Sequence, residues 1–300
     1  VSRRRRDGGG PDGVCVVDKP AGWTSHDVVA KLRGVLGTRR VGHAGTLDPD
    51  ATGVLVVGVG RATRLLRFLA PLPKRYEGEI VLGTETTTLD AAGEVTARHD
   101  MAGVTLADAR AAAAGLTGEI LQVPPMVSAL QVEGRRLHEL AREGVEVERE
   151  ARPVTVHRFD LGPTADPLVL RAVVECSSGT YVRSLAADLG RALGGGAHLR
   201  ALRRTAIGEF DLDEATPVEA PVVLPPAAAV GHLAAVRVDA ATAALVRTGR
   251  VLAPDALGVH GAPPWAVLDG DGRLLAVYEA TAGGRVKPAV VVSTTADGAG

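Results

Sequence analysis

The apolar positions of this chain fall mostly in short runs, each punctuated by glycine, proline or a cluster of charge. Val14–Val17, in VCVVDKP, form a continuous apolar run of strand length ended by a Lys-Pro turn, which predicts a buried strand. Thr24 or Ser25 then stands where a helix cap belongs. Val28, Val29, Leu32, Val35 and Leu36 share one face until Gly37 stops the pattern. VLVVGVG (54–60) predicts a second buried strand, followed by helix-forming RATRLLRFL. YEGEIVLG (76–83) alternates as a half-buried strand does. TLADARAAAAGLTG opens with Thr105 and Asp108 at capping-box spacing and predicts a helix. PLVLRAVVEC (167–176) alternates again, SSG makes a turn, and YVRSLAADLG continues as a helix.

Beyond these, residues 124–152 begin at a Pro-Pro turn and end in charge, an excursion from the core. PVEAPVVLPPAAAVG (217–231) is Pro/Ala-rich and reads as a linker, and WAVLDGDGRLLAVYEA (265–280) as a hairpin around an Asp-Gly-Asp-Gly turn. The organisation expected is a disordered basic tail (1–12), a main domain (13–235) with the excursion 124–152, and a small, mostly β module (236–295). The fold class is α+β, with an antiparallel-rich sheet. Gly58-Val-Gly60 before a helix imitates a dinucleotide-binding turn. The third glycine is replaced by Thr63, however, and no βαβ series with an acidic residue some 20 positions on follows.

Composition changes this picture little. With 46% hydrophobic and 23% charged residues the chain can bury a sizeable core. No apolar run reaches membrane-spanning length, and the Arg-rich start has no signal-peptide apolar region. Cys15 and Cys176 each stand alone in apolar runs without metal-type spacing, which suits reduced core residues of a cytoplasmic protein. Charge is more informative. The net −1 conceals 14 Lys/Arg against 6 Asp/Glu in residues 1–75, a balance of +8, and 6 against 11 in residues 209–300, a balance of −5. A basic N-terminal quarter suggests a polyanionic partner.

That basic quarter holds HAGTLDPDATGVL (43–55). The residue before a proline is pushed into extended conformation, so Pro49 stiffens the backbone under Asp48. Gly45 and Gly53 permit sharp turns at both ends. Taken alone, Asp-Pro more often just starts a turn. An aspartyl-phosphate nucleophile would follow directly on a buried strand, whereas here the strand comes after. A glycosidase would need a second carboxylate across the sugar, and Asp50 is tied to the same loop. The signal is one displayed carboxylate. KPAGWTS (19–25) adds Lys19 at a strand end, and SSGTYVRSL (177–185) adds Tyr181 and Arg183 at a strand-to-helix turn. Alone, Tyr181 reads as core and Arg183 as surface.

Together VDKPAGWTSHDVV, RRVGHAGTLDPDATGVLVVGVGRATRL, the Lys74-Arg75-Tyr76 strand start, PPMVSALQVEGRRLHELAREG, CSSGTYVRSLAADLG and AHLRALRRTAIGEF resemble, in order, the TruB-type bacterial tRNA pseudouridine-55 synthases. The resemblance covers roughly residues 13 to 210. It implies a pseudouridine-synthase catalytic domain followed by a PUA-like module, here short and acidic. It also implies isomerisation of uridine 55 in the T stem-loop of tRNA by base flipping, glycosidic cleavage and C–C rejoining. By the same resemblance Asp48 is catalytic, Tyr76 stacks on the target base, and His43 helps hold the remodelled RNA loop. Tyr181, Arg183 and Leu202 line the uracil pocket, Arg183 keeping Asp48 ionised and aimed. Lys19 takes a structural or a substrate-binding role. Arg39, Arg40 and Arg64, around the Asp48 loop, are candidates for RNA backbone contact. The reaction has no redox step, so no cofactor and no metal is expected, and the protein is expected to act as a monomer. Two alternatives are a non-catalytic tRNA-binding or folding factor and a pseudouridine synthase acting on another RNA.

Overall fold

A computed structural model describes residues 10–128, 131–132, 135–136 and 147–292. Most of the tail 1–12 and much of the excursion 124–152 lie outside the described residues. Asp12 is anchored: its carboxylate accepts from the Arg61 main chain at 2.5 Å and from Arg61 Nε at 2.6 Å. The described chain forms two compact units. The first holds the residues up to Pro49, Gly53–Pro71 and those from Ile207 onward; the second holds Asp50–Thr52 and Leu72–Ala206.

In the first unit β1 (Gly13–Lys19) pairs antiparallel with β3 (Thr52–Val59), Val16 opposite Val56. The short β2 (Val41–His43) also pairs with β3, His43 opposite Val57. The apolar runs of β1 and β3 are buried because α1 (Ser25–Val35) packs Val28, Val29 and Leu32 against Cys15, Val17, Leu55 and Val57. Thr24 is the cap of α1 and makes a capping box with Asp27, which settles the choice between Thr24 and Ser25. The helix expected in RATRLLRFL splits into a 3-10 turn (Gly60–Leu65) and a single α turn, α2 (Leu66–Leu69). The Thr63 hydroxyl donates to Gly60 O at 2.8 Å, a three-residue step that suits the tighter helix.

Residues 217–231 are not a linker. Val14 and Leu224 exchange main-chain hydrogen bonds of 3.0 and 2.8 Å, Thr216 does the same with β1 from the other end, and Val218 is in the core. The segment runs along β1, but its prolines have no N–H to donate, so pairing stays at isolated points. Within the same unit the C-terminal stretch has its own core. β14 (Ala234–Arg237) runs parallel to β15 (Trp265–Leu268), and antiparallel β16 (Leu274–Ala280) and β17 (Val286–Val291) follow. Val246 of α5 (Ala240–Arg247), Leu257 of α6 (Pro254–Leu257), Trp265, Leu275 and Tyr278 fill it.

The second unit is an antiparallel-rich sheet. β4 (Lys74–Leu82), β7 (Gly118–Gln122), β10 (Arg152–Pro163), β11 (Val169–Cys176) and β12 (Ala197–Ile207) lie in the order β12-β4-β11-β10-β7. Register places Val174 opposite Tyr76 and Cys176 opposite Lys74. α3 (Leu106–Gly115) packs on β10 and on α4 (Val182–Ala192), most of which is buried. Short hairpins β5 (Thr84–Thr86) with β6 (Val95–Arg98), and β8 (Gln131–Val132) with β9 (Arg135–Arg136), also belong to this unit, and the two-residue β13 (Phe210–Asp211) belongs to the first.

Candidate active site

In the first unit the turn from β2 to β3 is the segment that carries Asp48. Gly45 (φ 104°) and Gly53 (φ 101°) take backbone angles that L side chains rarely adopt, so the bends at either end depend on their having no Cβ. Asp48 is half-buried, while Leu47 before it is 4% exposed. The KPAGWTS stretch grips both of its neighbours. Ser25 Oγ accepts from Leu47 N at 2.9 Å and donates to Leu47 O at 3.3 Å. Gly22 N donates to Pro49 O at 3.0 Å, and Lys19 Nζ donates to the same oxygen at 2.8 Å.

Lys19 is fully buried, and its ammonium also donates to Pro20 O at 2.9 Å and Trp23 O at 2.5 Å. Three carbonyls thus meet the three N–H donors of one cation, which is how a buried charge is kept tolerable. His43 is half-buried at the end of β2, its ring edge-to-face with His26 at 5.5 Å between centroids. Arg39 and Arg40 are exposed just before β2. Arg64 is exposed and donates to Val291 O at 3.2 Å.

In the second unit Tyr76 lies near the start of β4 with only 9% of its surface exposed. Arg204, on the neighbouring β12, is 1% exposed. Burial pushes the pKa of the Arg204 guanidinium down, while the Tyr76 hydroxyl, hydrogen-bonded to it, acts the other way. Two residues before Tyr76, Lys74 is 5% exposed and donates to Leu72 O at 2.7 Å. Burial, and then the Arg204 charge, push its amine down to about 8. Cys176, its register partner, is pushed up to about 11 by burial. Leu202 is half-buried on β12 beside Gly78 of β4, where an added Cβ would come within 3.5 Å of Leu202 Cδ1 and 2.7 Å of Ala201 O.

Tyr181 is half-buried and caps α4. The buried side chain of Gln122 holds its main chain, accepting from Tyr181 N at 2.7 Å and donating to Tyr181 O at 3.1 Å. Arg183 is not the surface residue that its context alone suggests. It is 4% exposed and donates to Thr88 O at 3.1 Å and Val127 O at 2.9 Å, with Asp90 Oδ2 at 3.4 Å. Leu89, between two of those acceptors, is held at φ 62°, a left-handed conformation unusual outside glycine. Ser25, Asp90, Gln122 and Arg204 are the supporting residues that sequence reasoning missed. Ser25 reads from the sequence as a helix cap, and Arg204 lies inside AHLRALRRTAIGEF with nothing to mark it out. Asp90 and Gln122 stand at ordinary spacings, and only the folded chain places them.

Among the described residues no helix is long and apolar enough to cross a membrane. Comparison with known proteins gives concordant results. The model of the TruB family pseudouridylate synthase N-terminal domain matches residues 33–182, and that of the tRNA pseudouridylate synthase B C-terminal domain matches residues 183–220. The chain is 49% identical over 292 residues to tRNA pseudouridine synthase B of Thermobifida fusca (strain YX), covering 93% of this chain and 98% of the relative. It is 50% identical over 283 residues to the protein of the same name from Streptomyces coelicolor, covering 90% and 93%. Among solved structures, a chain of an H/ACA ribonucleoprotein bound to a substrate RNA containing 2′-deoxyuridine is 26% identical. It superposes with a TM-score of 0.71 over 94% of this chain and 85% of its own. A chain of a Cbf5–Nop10–Gar1 complex is 27% identical, with a TM-score of 0.70 over 94% and 83%. With an antiparallel-rich sheet, a β-rich C-terminal module and near-full-length relatives at about half identity, the chain belongs to the TruB family of pseudouridylate synthases and is an isomerase.

Proposed function

We propose that this protein converts uridine 55 in the T stem-loop of tRNA to pseudouridine, with Asp48 as its catalytic carboxylate. The observation that carries the assignment is the main-chain grip on Leu47 and Pro49, which holds the residue between them on a stiff, half-buried loop. A surface turn that happened to contain Asp-Pro would need no buried lysine and serine to hold its backbone. The relatives named tRNA pseudouridine synthase B supply the substrate class.

The chemistry accounts for the residue types. The N1–C1′ bond of the uridine breaks, the uracil turns, and C5 bonds to C1′ while N1 takes up a proton and C5 gives one up. Electrons balance without an oxidant or reductant, so the reaction requires no cofactor. Asp48 acts at the ribose or at the base as the glycosidic bond is broken and remade. The uridine has to leave its stack first. Stacking on Tyr76 returns about 1–3 kcal/mol of that cost. Tyr181, Arg183 and Leu202 hold the uracil, His43 holds the remodelled loop, and Arg39, Arg40 and Arg64 meet phosphates. Lys19 serves the reaction through the loop that it grips. The protein works as a cytoplasmic monomer.

The test is to incubate a T-arm minihelix with the protein and map pseudouridine at position 55. Asp48→Asn keeps size and hydrogen bonding but not the charge, so turnover should vanish while RNA affinity stays within a few-fold. Tight binding by the wild type without any pseudouridine would favour the binding-factor alternative. Activity of Asp48→Asn within about tenfold of wild type, a barrier change of only ~1.4 kcal/mol, would remove Asp48 from the chemistry.

A further inference from the structure

We infer that Ser25 is a positioning residue for Asp48, its hydroxyl setting the peptide plane from which the carboxylate is presented. The inference rests on the reading of Asp48 as catalytic. A serine at a helix start is readily taken for its cap, but Ser25 is the first helical residue of α1 and the capping is done by Thr24, whose side chain accepts from Asp27 N. The Ser25 hydroxyl is therefore available for something else. It is buried, with the residue 1% exposed, and a buried hydroxyl is costly unless bonded. Both hydrogen bonds of this hydroxyl go to one residue 22 positions away, Leu47, accepting from its N–H and donating to its C=O.

One oxygen thus does for Leu47 what a neighbouring strand would do in a ladder. The Leu47 carbonyl shares a peptide plane with the Asp48 nitrogen, so fixing that carbonyl fixes how the chain enters Asp48. On the far side, proline restricts Asp48 to extended conformations, and Pro49 O is held by Gly22 N and Lys19 Nζ. Of these restraints Ser25 is the nearest side chain acting on the entering plane. Removing it leaves two main-chain groups of a buried residue without this partner. The loop then relaxes in the coordinate that aims the carboxylate, without touching any surface the RNA needs.

The experiment compares wild type, Ser25→Ala and Asp48→Asn. It measures single-turnover rates at saturating T-arm RNA, equilibrium RNA affinity, and amide hydrogen exchange along residues 43–59. Ser25→Ala should lower the rate roughly 10- to 100-fold, as a small misplacement of a reacting group does, with RNA affinity within about threefold. Exchange should quicken at Leu47 and not along β3. A Ser25→Ala rate equal to wild type, beside an inactive Asp48→Asn, overturns this role and leaves the assignment of Asp48 standing. An active Asp48→Asn overturns the assignment itself. A loss carried by RNA affinity, or by faster exchange throughout β3, makes Ser25 a general structural residue and also overturns the role. Wild-type exchange needs no variant to fold: a Leu47 amide as unprotected as in an unstructured peptide refutes the inference outright.

Discussion

Replacing Lys74 with methionine should make this protein more stable at neutral pH and should remove part of its pH dependence. Lys74 is 5% exposed, and burial followed by the Arg204 charge pushes its amine from 10.5 down to about 8. The folded pKa lies below the unfolded one, so between about 8 and 10.5 the unfolded chain binds more protons and stability rises with pH. Below pH 8 both states are protonated, and the folded state bears the whole penalty, about 3 kcal/mol at ~1.4 kcal/mol per pH unit. Methionine keeps most of the length and removes the charge, but it loses the bond to Leu72 O, worth ~1 kcal/mol. The net gain at pH 7 is therefore about 2 kcal/mol. Urea unfolding of both proteins at pH 7, 8 and 9 measures it, and the advantage of Lys74→Met should shrink by ~1 kcal/mol across that range. Cys15 and Cys176, both raised to about 11 by burial, lower stability as the unfolded thiols ionise above pH 9, and both proteins carry them. An advantage that does not change with pH, or a variant less stable than wild type at pH 7, would refute the argument that the buried amine is strained by its charge.

Tyr76→Phe keeps the aromatic face and should bind T-arm RNA as wild type does, losing what the hydroxyl shared with Arg204 contributes to turnover, whereas Tyr76→Leu should weaken binding as well. Equal affinities in matched titrations would contradict the stacking role. Asp90→Asn removes the carboxylate beside Arg183 but not its two carbonyls, and Asp90 is partly exposed. The expected loss is about 1–2 kcal/mol of stability with slower turnover, read by denaturation and by single-turnover assay. Glutamine at Arg39, Arg40 and Arg64 together should flatten the slope of log affinity against log salt by about 2. Since Arg64 also holds Val291 O, most of that change should come from the first two. Arg250→Gln with Arg273→Gln, in the acidic C-terminal module, should change the slope less. The reverse result would move the RNA contact there.

The elements that sequence reasoning found are those whose burial pattern is local. β1 and β3 carry continuous apolar runs because they are covered, β4 and β11 alternate, and the capping boxes at Thr24 and Thr105 mark where helices start. Two misreadings have a common cause. Residues 217–231 carry a linker's composition, yet Leu224 pairs with Val14, a contact across more than half the chain that prolines disguise. Arg183 sits in an unremarkable helical start, and its burial depends on Thr88 and Val127, which no spacing in the sequence announces. The Asp48 loop was legible because proline and two glycines at positive φ are conformational requirements visible in the residues themselves. Its supporting grip is only half legible: Lys19 stands out at a strand end, whereas Ser25 reads as a helix cap.

The separations involved in that grip also bear on the order in which the molecule forms. Ser25 reaches Leu47 over 22 residues and Lys19 reaches Pro49 over 30, and the β1–β3 ladder beneath them closes within the first 59 residues. Arg183 waits for acceptors 95 and 56 residues away, and Arg203 bonds the Thr52 hydroxyl across 151. Short loops close quickly and at small entropic cost, and chains fold from the N-terminus as they are made. The Asp48 loop can therefore take its working shape on the ribosome before most of the second unit has been synthesised. Arg183 and Arg203 find their partners only later, once residues far along the chain have been made.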